Sequence, residues 1–220
     1  MRTVLAIAPH PDDETLGCGG ALLRHSMEGD RIHWLIATEI LNNDGWTSRQ
    51  KEKRHEEIKL VSRAYGFTGI HNLSLPTTRL DTLPLNQVIE KIGNVFRSIS
   101  PDVLYVPFAH DVHTDHQVTA KAISACLKWF RYPSIRRVLA YETLSETSFN
   151  YTESCFCPNV FMDISSFLQR KVEIMKLYES ELEEHPFPRS EKALNALAIL
   201  RGSYSGYEYA EAFELILEKL

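Results

Sequence analysis

Two segments of this 220-residue chain are dense in groups that bind cations and move protons. One is Ala8-Pro9-His10-Pro11-Asp12-Asp13-Glu14; the other, far along the chain, is His110-Asp111-Val112-His113-Thr114-Asp115-His116. Catalytic zinc takes nitrogen and oxygen ligands, three from the protein, and keeps one position for water. His10, Asp13 and His116 offer two imidazoles and a carboxylate, which matches that need. Zinc held in this way lowers the pKa of its water to roughly 7. Asp12 adjoins Asp13 on a loop where successive side chains point apart, so it is the expected general base. His113 stands one helical turn before His116, and a protonated ring there would steady an oxyanion. Asp115 or Asp111 is expected to hold a ring nitrogen of His113 and keep it charged. Glu14 either bonds the ring nitrogen of a metal ligand or simply opens a helix, whose dipole favours a carboxylate. Iron(II) is accepted by the same donors as zinc.

These groups need elements that bring them together. Thr3 to Ala8 is a short apolar run ending at Pro9, the pattern of a strand buried on both sides. Further strands are expected over Arg31 to Thr38, Ile70 to Leu75, Asp102 to Pro107, Arg137 to Leu144 and Asn159 to Ile164. Helices are expected over Thr15 to Met27, Thr47 to Tyr65 (stopped by Gly66), Leu85 to Ile99 and Thr114 to Phe130. From Ser165 the chain reads as helical nearly to its end, broken at His185 to Pro188. The alternation predicts an α/β fold, a Rossmann-like, mostly parallel sheet flanked by helices. A single domain over residues 1–220, with a helical C-terminal subregion over about 165–220, is the simplest organisation. In doubly wound sheets the first and fourth strands are often neighbours, and ligands bind beyond their carboxyl ends. Those two ends carry the two His and Asp segments.

The string PHPDDE after an N-terminal strand, with HTDH after a later one, resembles the PIG-L/LmbE zinc-dependent N-deacetylases. That family removes acetyl groups from N-acetylglucosaminyl and related amino-sugar compounds. The resemblance continues in Arg54-His55-Glu56-Glu57, in Pro101-Asp102-Val103 and in Tyr178-Glu179-Ser180. It extends to Arg201-Gly202, Gly206 and Tyr209-Ala210-Glu211-Ala212-Phe213. It implies that His10, Asp13 and His116 are ligands, Asp12 the base and His113 the oxyanion partner. Arg54 becomes a candidate substrate contact, with pairing to acids on its own helix as the plainer account; Arg201 is a candidate at the site's border. Two departures stand out: Thr38-Glu39-Ile40 where many members carry Thr-x-Gly, and Ser180-Glu181 for the usual Ser-Gln.

The implied function is removal of the N-acetyl group from a small amino-sugar compound of N-acetylglucosaminyl type, by zinc-held water and Asp12. Two alternatives stand beside it. One is a related zinc amidohydrolase acting on a non-sugar amide. The other is a non-catalytic metal- or sugar-binding Rossmann module, against which the presence of Asp12 argues.

An acidic HPDDE string can also cap a helix, but that explains neither His10 nor the second cluster. Gly17-Cys18-Gly19-Gly20 lacks the GxGxxG spacing of a dinucleotide loop, and close helix–strand packing is its expected use. Tyr204, Tyr207 and Tyr209 are expected to pack between C-terminal helices.

The formal charge of −5 and scattered basic residues leave no footprint for nucleic acid. The densest basic run, Arg49 to His55, is interrupted by Glu52 and followed by Glu56 and Glu57, as on a solvated helix face. Cys18, Cys126, Cys155 and Cys157 form no CxxC pair, so free thiols and a cytoplasmic location are expected. No run is long enough to span a bilayer, and the start lacks a signal-peptide pattern. The expected partner is a small N-acetylated sugar substrate, with homo-oligomer formation left open.

Overall fold

The strand β1 (Thr3–Ala8) is buried along its whole length, as its apolar composition requires. Its residues part alternately into two cores, Val4, Ala6 and Ala8 on one face and Leu5 and Ile7 on the other. The structure, a computed structural model, describes residues 1–40, 45–151 and 154–220. After β1 come α1 (Asp13–Met27), β2 (Arg31–Glu39), α2 (Ser48–Tyr65), β3 (Gly69–Pro76) and α3 (Leu85–Ile99). Then follow β4 (Val103–Pro107), α4 (Thr114–Cys126), β5 (Arg137–Tyr141), β6 (Val160–Asp163), α5 (Leu168–Met175), α6 (Glu191–Ser205) and β7 (Ala210–Glu218).

The seven strands form one sheet in the order β3-β2-β1-β4-β5-β7-β6. The first five are parallel, and β7 runs antiparallel to both β5 and β6. The fold is therefore α/β with a mostly parallel sheet, and β1 and β4 are neighbours as predicted. The chain runs outward through β2 and β3, then returns past β1 to β4, so a crevice opens where the direction reverses. Helices α3 and α4 pack on the Leu5 and Ile7 face through Val88, Ile92, Phe96 and Ile123. On the other face, Leu16 and Leu22 of α1, Val61 of α2, Met175 of α5 and Leu194 of α6 join the core.

Local signals account for several boundaries. Thr47 and Gln50 form a reciprocal capping box at the start of α2, and Gly66, at φ 76°, ends it. Helix α4 stops at Cys126, short of the Phe130 that periodicity suggests, and Trp129 and Phe130 stand exposed. β5 ends at Tyr141, and residues 142–146 bend toward the crevice instead of extending the strand to Leu144.

The C-terminal region corrects the sequence reading. Helices α5 and α6 are present, but residues 210–218 form β7. Ala, Glu and Leu favour helix in isolation, yet Ala210, Ala212 and Phe213 are buried in the sheet, between partners that would otherwise lack a ladder. Tyr204 and Tyr207 are exposed and do not pack between helices, whereas Tyr209 packs on Ile164 and Leu168.

The glycines of α1 serve close packing. A Cβ at Gly17 would lie 2.1 Å from the ring of Tyr141, and one at Gly20 would lie 2.5 Å from Ile164. Between them α1 breaks at Cys18, at φ −141° and ψ 20°. The break frees Leu16 O and the N–H groups of Gly20 and Ala21. Glu211 of β7 accepts from both N–H groups, at 2.7 and 2.8 Å. Lys171 of α5 donates to Leu16 O at 2.9 Å and to Glu211 at 2.7 Å. A buried ion pair thus replaces the missing rungs of α1.

Candidate metal centre and cleft

The loop between β1 and α1 is held from three sides. Pro9 O accepts from the Thr38 backbone N–H at 3.1 Å and from its hydroxyl at 2.8 Å, which ties the loop to β2. Asp12, at φ 135°, takes a backbone conformation that is strained by about 1–3 kcal/mol for a residue with a side chain. Its carbonyl accepts from the N–H groups of Thr15 and Leu16, both at 2.9 Å. Its own N–H donates to the buried Glu14 carboxylate at 3.2 Å. Glu14 in turn accepts from the hydroxyls of Tyr178 and Thr15 at 2.7 and 2.6 Å. Glu14 therefore shapes the loop under Asp12 and bonds no imidazole, which corrects the first of the two uses expected for it. Burial raises its carboxyl pKa to about 7.

Asp13 folds back over the same loop. Its Oδ2 accepts from the His10 N–H at 2.8 Å and lies 3.4 Å from His10 Nδ1 and 3.2 Å from His116 Nε2. Ligand atoms of His10, Asp13 and His116 all fall within 4.8 Å of one another. His116 Nε2 is buried and makes no hydrogen bond among the described residues. A buried ring nitrogen facing a carboxylate without a hydrogen bond fits a cation held between them.

The far nitrogens of both rings are anchored. His116 Nδ1 pairs with Asp111 at 2.8 Å, and His10 Nε2 with Asp115 at 3.0 Å. Asp115 also accepts from the N–H groups of Thr78 and Leu80 at 2.6 and 3.0 Å. A carboxylate behind a ligating imidazole fixes the ring and strengthens it as a donor.

Both aspartates therefore serve His116 and His10, not His113 as the sequence suggested. The reason is the helix start: His113 is the residue that caps α4, and its Nδ1 accepts from the Asp115 N–H at 3.0 Å. Burial, with His10 and His116 close by, lowers its pKa to about 4. His113 is neutral near pH 7, with its proton on Nε2. Its ring centroid lies 4.5 Å from that of His10 and 5.5 Å from that of His116.

The electrostatics favour positive charge at the centre. Burial opposes a proton on His10, yet Asp115 and Asp13 raise its pKa to about 9. Against the same burial, Asp13 and Asp111 raise His116. Burial raises the Asp12 carboxyl well above its ordinary value, and Asp13 and Glu181 push it the same way against Arg189 and Arg54.

A cleft of about 250 Å³ lies over these groups, lined by His10, Asp12, Asp13 and His113. Arg54 lines it too, held by Pro11 O at 3.0 Å, Ser180 Oγ at 3.1 Å and the Glu181 carboxylate. Arg201 does not line it; its guanidinium pairs with Glu142 at 2.7 and 2.6 Å. Several lining residues escaped the sequence reading, among them Trp46, Glu146 and Arg189, and Glu181 entered it only as a departure from the family's Ser-Gln. Arg189 follows the Pro186-Phe187-Pro188 interruption between α5 and α6, and an irregular segment of that kind was the one available signal.

All four cysteines are free. Among the described residues, no helix is long and apolar enough to cross a membrane.

A family model described as "GlcNAc-PI de-N-acetylase" matches residues 5–127, a span that contains both motif segments. A diacetylchitobiose deacetylase of Thermococcus kodakarensis is 28% identical over 228 residues, covering 98% of this chain and 84% of that protein. A Bacillus cereus protein named "Probable N-acetyl-alpha-D-glucosaminyl L-malate deacetylase 2" is 24% identical over 191 residues, covering 83% of this chain and 84% of its own length. Among solved structures, a conserved protein from Thermus thermophilus superposes with a TM-score of 0.80 at 27% identity, covering 100% of this chain and 97% of that one.

Proposed function

The chain belongs to the PIG-L family, and from that premise we propose that it is a zinc-dependent N-deacetylase of a small N-acetylated amino sugar. The observation that carries this reading is the meeting of His10, Asp13 and His116 beside Asp12 at one cleft. In it His10, Asp13 and His116 would hold the zinc, which supplies polarisation of the acyl oxygen and acidification of water.

Asp12 is the proton carrier. Its buried carboxylate, pushed up by Asp13 and Glu181, binds a proton more strongly than an ordinary aspartate and suits a general base. It takes the proton of the attacking water and passes it to the departing nitrogen, so that water and amide become acetate and amine. The strained backbone at Asp12 is pinned through its N–H by Glu14. His113 acts as a neutral donor: with Nδ1 engaged by the helix start, Nε2–H is left for the oxygen that gains negative charge.

The test is acetate release from a panel of N-acetylhexosamine derivatives, before and after chelation and after zinc is returned. Release that is lost on chelation and restored by zinc is expected. Absence of release from every sugar, with a non-sugar amide cleaved instead, would overturn the substrate assignment.

A further inference from the structure

The cleft carries several cationic side chains, and the charges opposite them bear on which amino sugars it admits. Arg54 and Arg189 converge on a single carboxylate, Glu181. Arg54 is ion-paired to it, and Arg189 reaches its Oε2 at 3.1 Å and its backbone carbonyl at 3.2 Å. Glu57, buried on the same helix as Arg54, stands 3.5 Å from the guanidinium Nε. Arg189 is also tied to Ser145 Oγ at 2.9 Å, across the cleft from α2. Two guanidinium groups and two carboxylates thus close a neutral cluster beside Asp12, itself a further acid.

Among the described residues, two further basic side chains of the cleft wall face an acid as well. His55 Nε2 lies 3.0 Å from Glu39, and the charge of Lys51 helps lower the pKa of that same carboxylate. Against these, the cleft also exposes Glu146, and Trp46 contributes an apolar ring. An incoming phosphate or carboxylate would have to displace an existing carboxylate to gain a guanidinium partner. A hydroxyl-bearing sugar needs only hydrogen bonds and an apolar surface, and meets no such exchange.

We propose that Glu181, by neutralising Arg54 and Arg189, makes this cleft select uncharged N-acetylamino sugars over those whose aglycone carries an acidic group. The proposal rests on the deacetylase reading and adds to it a residue that sets specificity. It separates the two kinds of substrate named for the relatives, a neutral chitobiose and an acidic malate conjugate.

The experiment compares kcat/KM for matched N-acetylglucosaminides whose aglycone is glycerol or glycerate, with the zinc-loaded protein. The glycerol compound is expected to be preferred by roughly tenfold, the size of one screened charge interaction in a partly buried cleft. Glu181→Gln, close in shape, should move the ratio toward the glycerate compound by a similar factor and mostly through KM. Glu181→Asp should restore the wild-type ratio in part. Inhibition of the wild-type protein by the two deacetylated products supplies a second measurement that needs no variant: the acidic product should inhibit more weakly. Equal use of both substrates, equal inhibition by both products, or a ratio unmoved in Glu181→Gln overturns the assignment to Glu181 while leaving the deacetylase reading intact. No acetate from either compound or from any other N-acetyl sugar overturns both.

Discussion

At the scale of single residues, the candidate centre is built from two rings, each anchored at its far nitrogen and facing Asp13 with the other. His116 has Asp111 behind it and Asp13 in front, and His10 has Asp115 behind it and Asp13 in front. Asp12, next to Asp13 in the chain, is the group whose role is easiest to isolate. Asp12→Asn keeps the volume and removes the basic oxygen. It should retain zinc at the wild-type stoichiometry while turnover falls by ~10²–10⁴, as read by metal analysis and acetate release on one preparation. Turnover at the wild-type rate would remove Asp12 from the proton transfer. The donor types were legible in the sequence because His and Asp at strand ends have few structural uses. Which aspartate serves which ring was not. The pairing depends on where α4 begins, and a capping ring turns its own Nδ1 toward the backbone.

At the scale of elements, the strained loop depends on α1, and α1 depends on a distant pair of charges. Lys171 and Glu211 are both buried, and together they satisfy three backbone groups that the break at Cys18 leaves open. Removing one partner leaves a buried charge uncompensated. Glu211→Ala should cost about 3–5 kcal/mol in urea unfolding, and adding Lys171→Met should recover part of that loss. A change below about 1 kcal/mol, the worth of an exposed pair, would show that the pair is dispensable. Sequence patterns located most strands and helices to within a few residues, since β1, β4 and α3 have unambiguous periods. They misjudged Ala210–Glu218, where intrinsic helix preference is overruled by a vacant ladder between β5 and β6. No window of residues contains that information.

At the scale of the whole molecule, the sheet divides labour between its two ends. Its carboxyl end holds the candidate metal centre, and its amino end holds a separate charged cluster in which Asp30 bonds the N–H and guanidinium of Arg2 and the ring of His25. Burial alone would raise the Asp30 pKa, but these partners hold it at about 2, against an ordinary 3.8. A carboxyl depressed in the folded state adds stability above its unfolded pKa, and that stability is lost as pH falls through the folded value. Asp30→Asn should therefore flatten the decline in stability between pH 3.8 and about 2, followed by chemical denaturation at each pH. An unchanged slope would show that this cluster contributes nothing to acid sensitivity.

The placement of β7 has a consequence for biogenesis. This strand comes later in the chain than every element it joins, and its Glu211 supports the helix that carries Asp13. While the chain is being translated, β5 and β6 must wait with unpaired edges and Lys171 without its counter-charge. A nascent polypeptide that has not yet reached Glu211 thus lacks the brace beneath the loop of the candidate metal centre, and that loop gains its support only once β7 docks.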